Sequence, residues 1–114
     1  LTKNIIIMKE VKAIVKPFKA NDILSQLIQA GYENLTVTLA EGTGNFNSVD
    51  SSLSMHFSIT DSEVAVIIVV CNDSEVEKIV SIISSNGRTG NPGDGLIYVS
   101  DLYKVFRVKT GLEA

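Results

Sequence analysis

Tryptophan is absent from this chain, and cysteine and histidine occur once each, at Cys71 and His56. A single cysteine cannot close an intrachain disulfide, so Cys71 reads as a small apolar residue in a reducing compartment. A single histidine without a second His, Cys or carboxylate at ligand spacing predicts no metal site within one chain. The longest apolar run, Val64 to Cys71, has eight residues, against the ~20 a membrane-spanning helix requires. Positive charge is not in surplus either: the net charge is −3 and the pI about 5.0, which disfavours nucleic acid or an anionic membrane surface as the main partner. Leu1 to Met8 offers only the patch Ile5–Met8 without a small-residue cleavage site, so no signal peptide is expected and the chain reads as cytoplasmic. Met8 reads as a natural start, with 1–7 an N-terminal extension or upstream remainder.

What is present is a concentrated turn, Arg88-Thr89-Gly90-Asn91-Pro92-Gly93-Asp94-Gly95, running into the apolar Leu96-Ile97-Tyr98-Val99. Three glycines and a proline in so few residues exclude a helix or a packed strand. Closely spaced glycines leave backbone N–H groups bare, and a concave row of them suits phosphate oxygens. By itself the segment reads first as a plain surface connection rich in turn formers, since short glycine motifs are weak evidence.

The remaining pattern alternates strand and helix. Val11, Ala13 and Val15 share one face of a strand over Met8–Lys16 that Pro17 closes. Asn21 is a candidate cap for a helix over 21–30 carrying Ile23, Leu24, Leu27 and Ile28, with Gly31 ending it. Leu35–Leu39 predicts a second strand. Residues 41–62 hold six serines and no sustained period, which predicts a long loop. Val64–Cys71 predicts a third strand, apolar on both faces. Asn72 and Glu75 have capping-box spacing before a helical stripe of Val76, Ile79, Val80 and Ile83 that Gly87 ends. Leu96–Val99 predicts the fourth strand, and 105–109 an extended tail. This order is the α+β, ferredoxin-like βαββαβ sandwich in one domain, 8–111, with a tail at 112–114. Two helices cover one sheet face only, so the doubly apolar third strand predicts a homo-oligomer.

These segments carry a resemblance. Met8-Lys9-Glu10-Val11-Lys12-Ala13-Ile14-Val15-Lys16-Pro17-Phe18-Lys19, Leu35-Thr36-Val37-Thr38, Thr89 to Val99 around Gly93-Asp94-Gly95, and Phe106-Arg107-Val108-Lys109-Thr110-Gly111 resemble, in order, the motifs of the PII signal-transduction (nitrogen regulatory protein P-II) family. The resemblance implies a homotrimer that binds an adenine nucleotide between subunits and docks through the long loop onto a membrane transporter or metabolic enzyme. It implies nucleotide contacts at Ile14, Thr36, Gly44 and Val69 around adenine and at Thr89, Gly90, Gly93, Asp94 and Gly95 around phosphate. Arg107 and Lys109, two apart on an extended segment, would add charge from a neighbouring subunit.

The departures from the family pattern narrow the ligand. Gly42-Thr43-Gly44-Asn45-Phe46 stands where the family carries Gly-Phe-Gly-Arg-Gln; Asn45 loses a cationic contact, and Phe46 offers a magnesium ion no oxygen. Leu96 and Glu63 stand where the family has lysines. AMP, ADP or a cyclic adenine nucleotide is therefore expected over Mg-ATP with 2-oxoglutarate. No tyrosine lies between Tyr32 and Tyr98, which excludes the family's uridylylation on the loop. Met55, His56 and Phe57, with Ile59, place an apolar patch in the loop suited to docking. The alternative is a small phosphate-handling enzyme of acylphosphatase-like architecture, for which Arg88 and Asn91 beside the glycine turn are the only features. No nucleophile is paired with a base, so no catalysis is expected.

Overall fold

The computed structural model describes residues 7–43 and 62–114. Its elements run β1 (Met8–Val15), α1 (Ala20–Gln29), β2 (Leu35–Gly42), β3 (Ser62–Asn72), α2 (Val76–Gly87) and β4 (Gly95–Leu102). The four strands form one antiparallel sheet in the order β2-β3-β1-β4, the expected α+β sandwich. The alternation in β1 explains the layering. Val11, Ala13 and Val15 pair with Val69, Ile67 and Ala65, and these residues are buried together with Ile23, Leu27, Ile79 and Ile83 of the helices. Each buried aliphatic side chain contributes roughly 1.5–3 kcal/mol relative to exposure, so this layer supplies most of the driving force.

The opposite sheet face carries Ile14, Ile68, Leu96 and Tyr98, since Lys12 pairs with both Ile68 and Tyr98, and Ile14 with Leu96. Leu96 and Tyr98 are 50% and 43% exposed. Lys12 lies over the Tyr98 ring, 5.8 Å from its centre, and meets Glu10 at 3.7 Å.

Several boundaries differ from expectation. Asn21 is not a cap: Pro17 opens a 3-10 turn over Pro17–Lys19 that runs directly into α1, because its fixed φ suits a first helical turn. Gly31 does end the helix, at φ +98°, with Tyr32 N donating to Leu27 O. Glu41, Gly42 and Ser62, assigned to the loop from sequence, continue the β2–β3 ladder as Glu41↔Glu63 and Gly42↔Ser62. Polar composition hid a ladder whose backbone pairing does not depend on apolar side chains. Asn72 N donates to the Glu75 carboxylate at 3.1 Å, as the capping-box spacing predicts. Gly87 lies inside α2 without a left-handed conformation; its smallness admits Ile23, whose Cδ1 would stand 3.1 Å from an added Cβ. Strand β4 runs three residues beyond Val99. The C-terminal segment is not extended: Phe106 bridges Glu113, and Gly111 N donates to Arg107 O at 2.8 Å, closing a tight turn.

At Gly95 the chain passes so close to β1 that an added Cβ would stand 1.8 Å from Ile14 O, at φ +111°. At Gly90, also left-handed at φ +86°, an added Cβ meets nothing within 4 Å. Gly90→Ala should therefore cost only the left-handed penalty, about 1 kcal/mol. Gly95→Ala forces β4 away from β1 and should cost well over ~2 kcal/mol. Urea unfolding of the two variants checks the order; equal losses would contradict the close approach.

Candidate functional site

The turn between α2 and β4 is shaped by left-handed Gly90 and Gly93, both at φ +86°, and framed by side chains rather than by open amides alone. Thr89 N donates to Asp94 Oδ2 at 2.9 Å, and the Thr89 hydroxyl donates to Asp94 Oδ1. Asn91 N donates to Thr89 Oγ1 at 3.1 Å. Behind them stands Lys16, 3% exposed. Its Nζ donates to Thr89 Oγ1 at 3.1 Å and lies 3.1 Å from Asp94 Oδ1. The Thr89 hydroxyl thus donates once and accepts twice, which exhausts its capacity. A lysine buried this deeply requires a matching charge, and Asp94 supplies it.

Burial alone would raise the Asp94 carboxyl, but the Thr89 hydroxyl and amide and the Lys16 ammonium together hold it down at about 2. It is therefore an anion at any physiological pH. The amides of Gly90 and Gly93 have no hydrogen-bond partner among the described residues, which leaves them unengaged as donors. Beside it lies a cleft of about 90 Å³ bounded by Val15, Ile83, Arg88 and Leu96. Arg88 does not point its charge freely into the cleft, because Nε and a terminal nitrogen donate to Ser84 O and Oγ, each at 3.1 Å.

The other expected positions divide. Ile14 neighbours the turn through its pairing with Leu96. Thr36 shares Ile14's face but lies on edge strand β2, with β3 between it and β1. Val69 faces the helices, 2% exposed, and lines a separate cleft of about 180 Å³ with Tyr32, Asn34, Cys71 and Glu75. Burial, with Glu75 nearby, raises the Cys71 thiol and the Tyr32 phenol above their ordinary values, so Cys71 is a protonated thiol, unsuited to nucleophilic attack. Arg107 and Lys109 are exposed on the C-terminal turn rather than along an extended strand, and neither bonds to the glycine turn of its own chain. Gly44, Asn45, Phe46, Met55, His56 and Phe57 lie outside the described residues. Among the described residues no cluster of three His, Cys, Asp or Glu is suited to a metal ion, and no helix is long and apolar enough to cross a membrane.

Sequence reasoning missed Lys16. The alternation that puts Val11, Ala13 and Val15 on one face would put Lys16 on the other with Lys12 and Ile14, whereas at Pro17, where the strand gives way to a 3-10 turn, it is buried under the glycine turn. The one available signal was a lysine immediately before a strand-ending proline.

A ferredoxin-like sheet with a framed glycine turn beside the end of β1 is the arrangement with which known proteins can be compared. The family model for nitrogen regulatory protein P-II matches residues 8–112. A nifHD-region GlnB-like protein from Methanothermococcus thermolithotrophicus is 32% identical over 104 residues, covering 91% of this chain and 96% of its own. GlnK from Escherichia coli K12 is 33% identical over 105 residues, covering 91% and 94%. The crystal structure of Arabidopsis thaliana PII bound to citrate aligns at TM-score 0.78 and 27% identity over 95% of this chain and 89% of that one. The chain belongs to the nitrogen regulatory protein P-II family, whose members are regulatory signal-transduction proteins and not enzymes. The acylphosphatase-like reading falls with that membership.

The depressed Asp94 carboxyl sets a pH signature. Its folded value lies below the ordinary 3.8, so its contribution to stability is complete above that value and is lost as pH falls toward about 2. Urea midpoints measured from pH 6 downward should separate wild type from Asp94→Asn most widely above about pH 4, and the gap should close in stronger acid. A gap that widens with acid would contradict the assignment.

Proposed function

We propose that this protein is a cytoplasmic homotrimeric regulator that binds an adenine nucleotide between subunits and controls a membrane transporter or metabolic enzyme through the loop over 41–62. The observation that carries the ligand class is the charge balance at the turn. The glycine amides are held for an anion, yet the one buried cation behind them is already matched by Asp94, Arg88 is engaged with Ser84, and Leu96 adds no charge. Backbone donors without surplus positive charge favour AMP, ADP or a cyclic adenine nucleotide over the more highly charged triphosphate. Each missing charged hydrogen bond costs about 1.5–3 kcal/mol, or roughly ten- to a hundredfold in affinity.

Assembly is supported by the uncovered sheet face. Ile14, Ile68, Leu96 and Tyr98 form an apolar area, and its charges, Lys12 and Glu10, are already paired, which lowers the cost of covering it. A second copy brought against this face would supply the C-terminal turn with Arg107 and Lys109 to the outer side of the ligand. On this reading Ile14, Thr36, Gly44 and Val69 stand around adenine, Val69 only through its backbone because its side chain faces the helices. Met55, His56 and Phe57 are the docking residues of the loop.

Calorimetry with AMP, ADP, a cyclic adenine nucleotide and ATP, each with and without Mg²⁺ and 2-oxoglutarate, tests the ligand. Binding of the less charged nucleotides with no gain from 2-oxoglutarate is expected. Tight Mg-ATP binding strengthened by 2-oxoglutarate would overturn the ligand assignment. A monomeric mass by light scattering at micromolar concentration would overturn the trimer.

A further inference from the structure

We propose that Lys16 is a positioning residue for the ligand's phosphate, acting through Asp94 and Thr89 rather than by touching the ligand. The inference rests on the nucleotide reading above and specifies how the turn is held for it. Three observations carry it. The Lys16 side chain is 2% exposed, so its ammonium faces the interior. It reaches both anchors of the turn, Asp94 Oδ1 and Thr89 Oγ1, at 3.1 Å each. Those anchors hold the ends of the segment containing Gly90 and Gly93: Asp94 accepts from the Thr89 amide and hydroxyl, and Thr89 Oγ1 accepts from the Asn91 amide.

The direction of each hydrogen bond decides the role. An ammonium has three protons to give and no lone pair, and here it gives to a carboxylate that in turn accepts from Thr89. The hydroxyl's own proton is committed to Asp94, which leaves Thr89 Oγ1 an acceptor, and the ammonium, bonded to Oγ1 and to Asp94 together, holds that pair in place with the Asn91 amide on the remaining lone pair. With Asn91 N bonded to Thr89, the amides of Gly90 and Gly93 remain as the turn's unengaged donors. A direct phosphate contact by Lys16 would require the ammonium to abandon Asp94 and cross the turn. A positioning contact requires it to stay.

The two roles predict opposite signs for one substitution. In Asp94→Asn the ammonium loses its counter-charge. If Lys16 contacted phosphate, ADP affinity would rise; acting through Asp94, it should fall at least fivefold. Lys16→Met should weaken ADP at least tenfold, and Lys16→Arg should recover part of the loss, because a guanidinium retains donors for both anchors. Calorimetric titration with ADP, after thermal melts establish folding, gives the affinities. Amide exchange at Thr89 in the ligand-free proteins reports the framing independently, and should quicken in Lys16→Met and in Asp94→Asn. Should Lys16→Met fail to fold, Asp94→Asn, altered at a partly exposed site, still decides the sign. Tighter or unchanged ADP binding by folded Asp94→Asn would overturn the inference alone, as would wild-type affinity in Lys16→Met. Absence of ADP binding by the wild type would overturn the nucleotide reading and this inference together.

Discussion

The ion pair of Lys16 with Asp94 is the constraint on which the arrangement of this molecule's site depends. It joins the end of the central strand β1 to the turn entering β4, segments more than seventy residues apart in sequence. A buried ammonium without a partner costs several kcal/mol, so every conformation that separates the two groups is disfavoured. The close approach at Gly95 acts in the same place: β4 begins where its backbone nearly touches Ile14. Charge pairing and steric contact together fix the start of β4, and the turn's shape follows from its fixed ends.

That geometry revises what a glycine-rich turn means. Glycines remove side-chain obstruction and allow left-handed residues, but they do not decide which amides face outward. In this chain Asp94 and Thr89 make that choice by occupying the amides of Thr89 and Asn91. An internal carboxylate that satisfies some donors leaves fewer for a ligand, and it cancels the nearby cation as well. The turn is consequently less electropositive than its glycine count implies, which agrees in direction with the absence of lysine at Leu96.

Much of the fold was legible in the sequence because its elements follow from local periodicity. Val11, Ala13 and Val15 alternate, Val76, Ile79 and Ile83 recur at helical spacing, and Asn72 with Glu75 announce a helix start. What local pattern does not encode was misread. Asn21 looked like a cap, but Pro17 had already begun the helix. Glu41 looked like a loop residue, yet it faces Glu63 across the ladder, where like charges cost a fraction of a kcal/mol that the continuing strands offset. The inward turn of Lys16 depends on a partner near the other end of the chain, which no window of ten residues contains. Arg107 and Lys109 were correctly seen as cations near the C-terminus, but the tight turn that carries them is set by pairing between Phe106 and Glu113.

The proposed nucleotide site follows the same division between what one chain completes and what it leaves open. One chain builds the floor of the phosphate site to full satisfaction, with Lys16, Thr89 and Asp94 mutually bonded. It leaves Arg107 and Lys109 unattached to that floor and the Ile14, Leu96 and Tyr98 face uncovered. On the proposed reading, the ligand spans both the finished and the unfinished parts, so binding and assembly share one equilibrium. A ligand that binds only the assembled form stabilises it by RT ln(1 + [L]/Kd), about 2.7 kcal/mol at a hundredfold excess over Kd. The strand pair β2–β3 is joined to that site by backbone pairing, Ile14 with Val66 in β3 and Thr36 with Ile68. Those two strands carry the ends of the loop. On the proposed reading, the sheet that carries Ile14 also carries Gly42 and Ser62, the described residues that flank the docking segment.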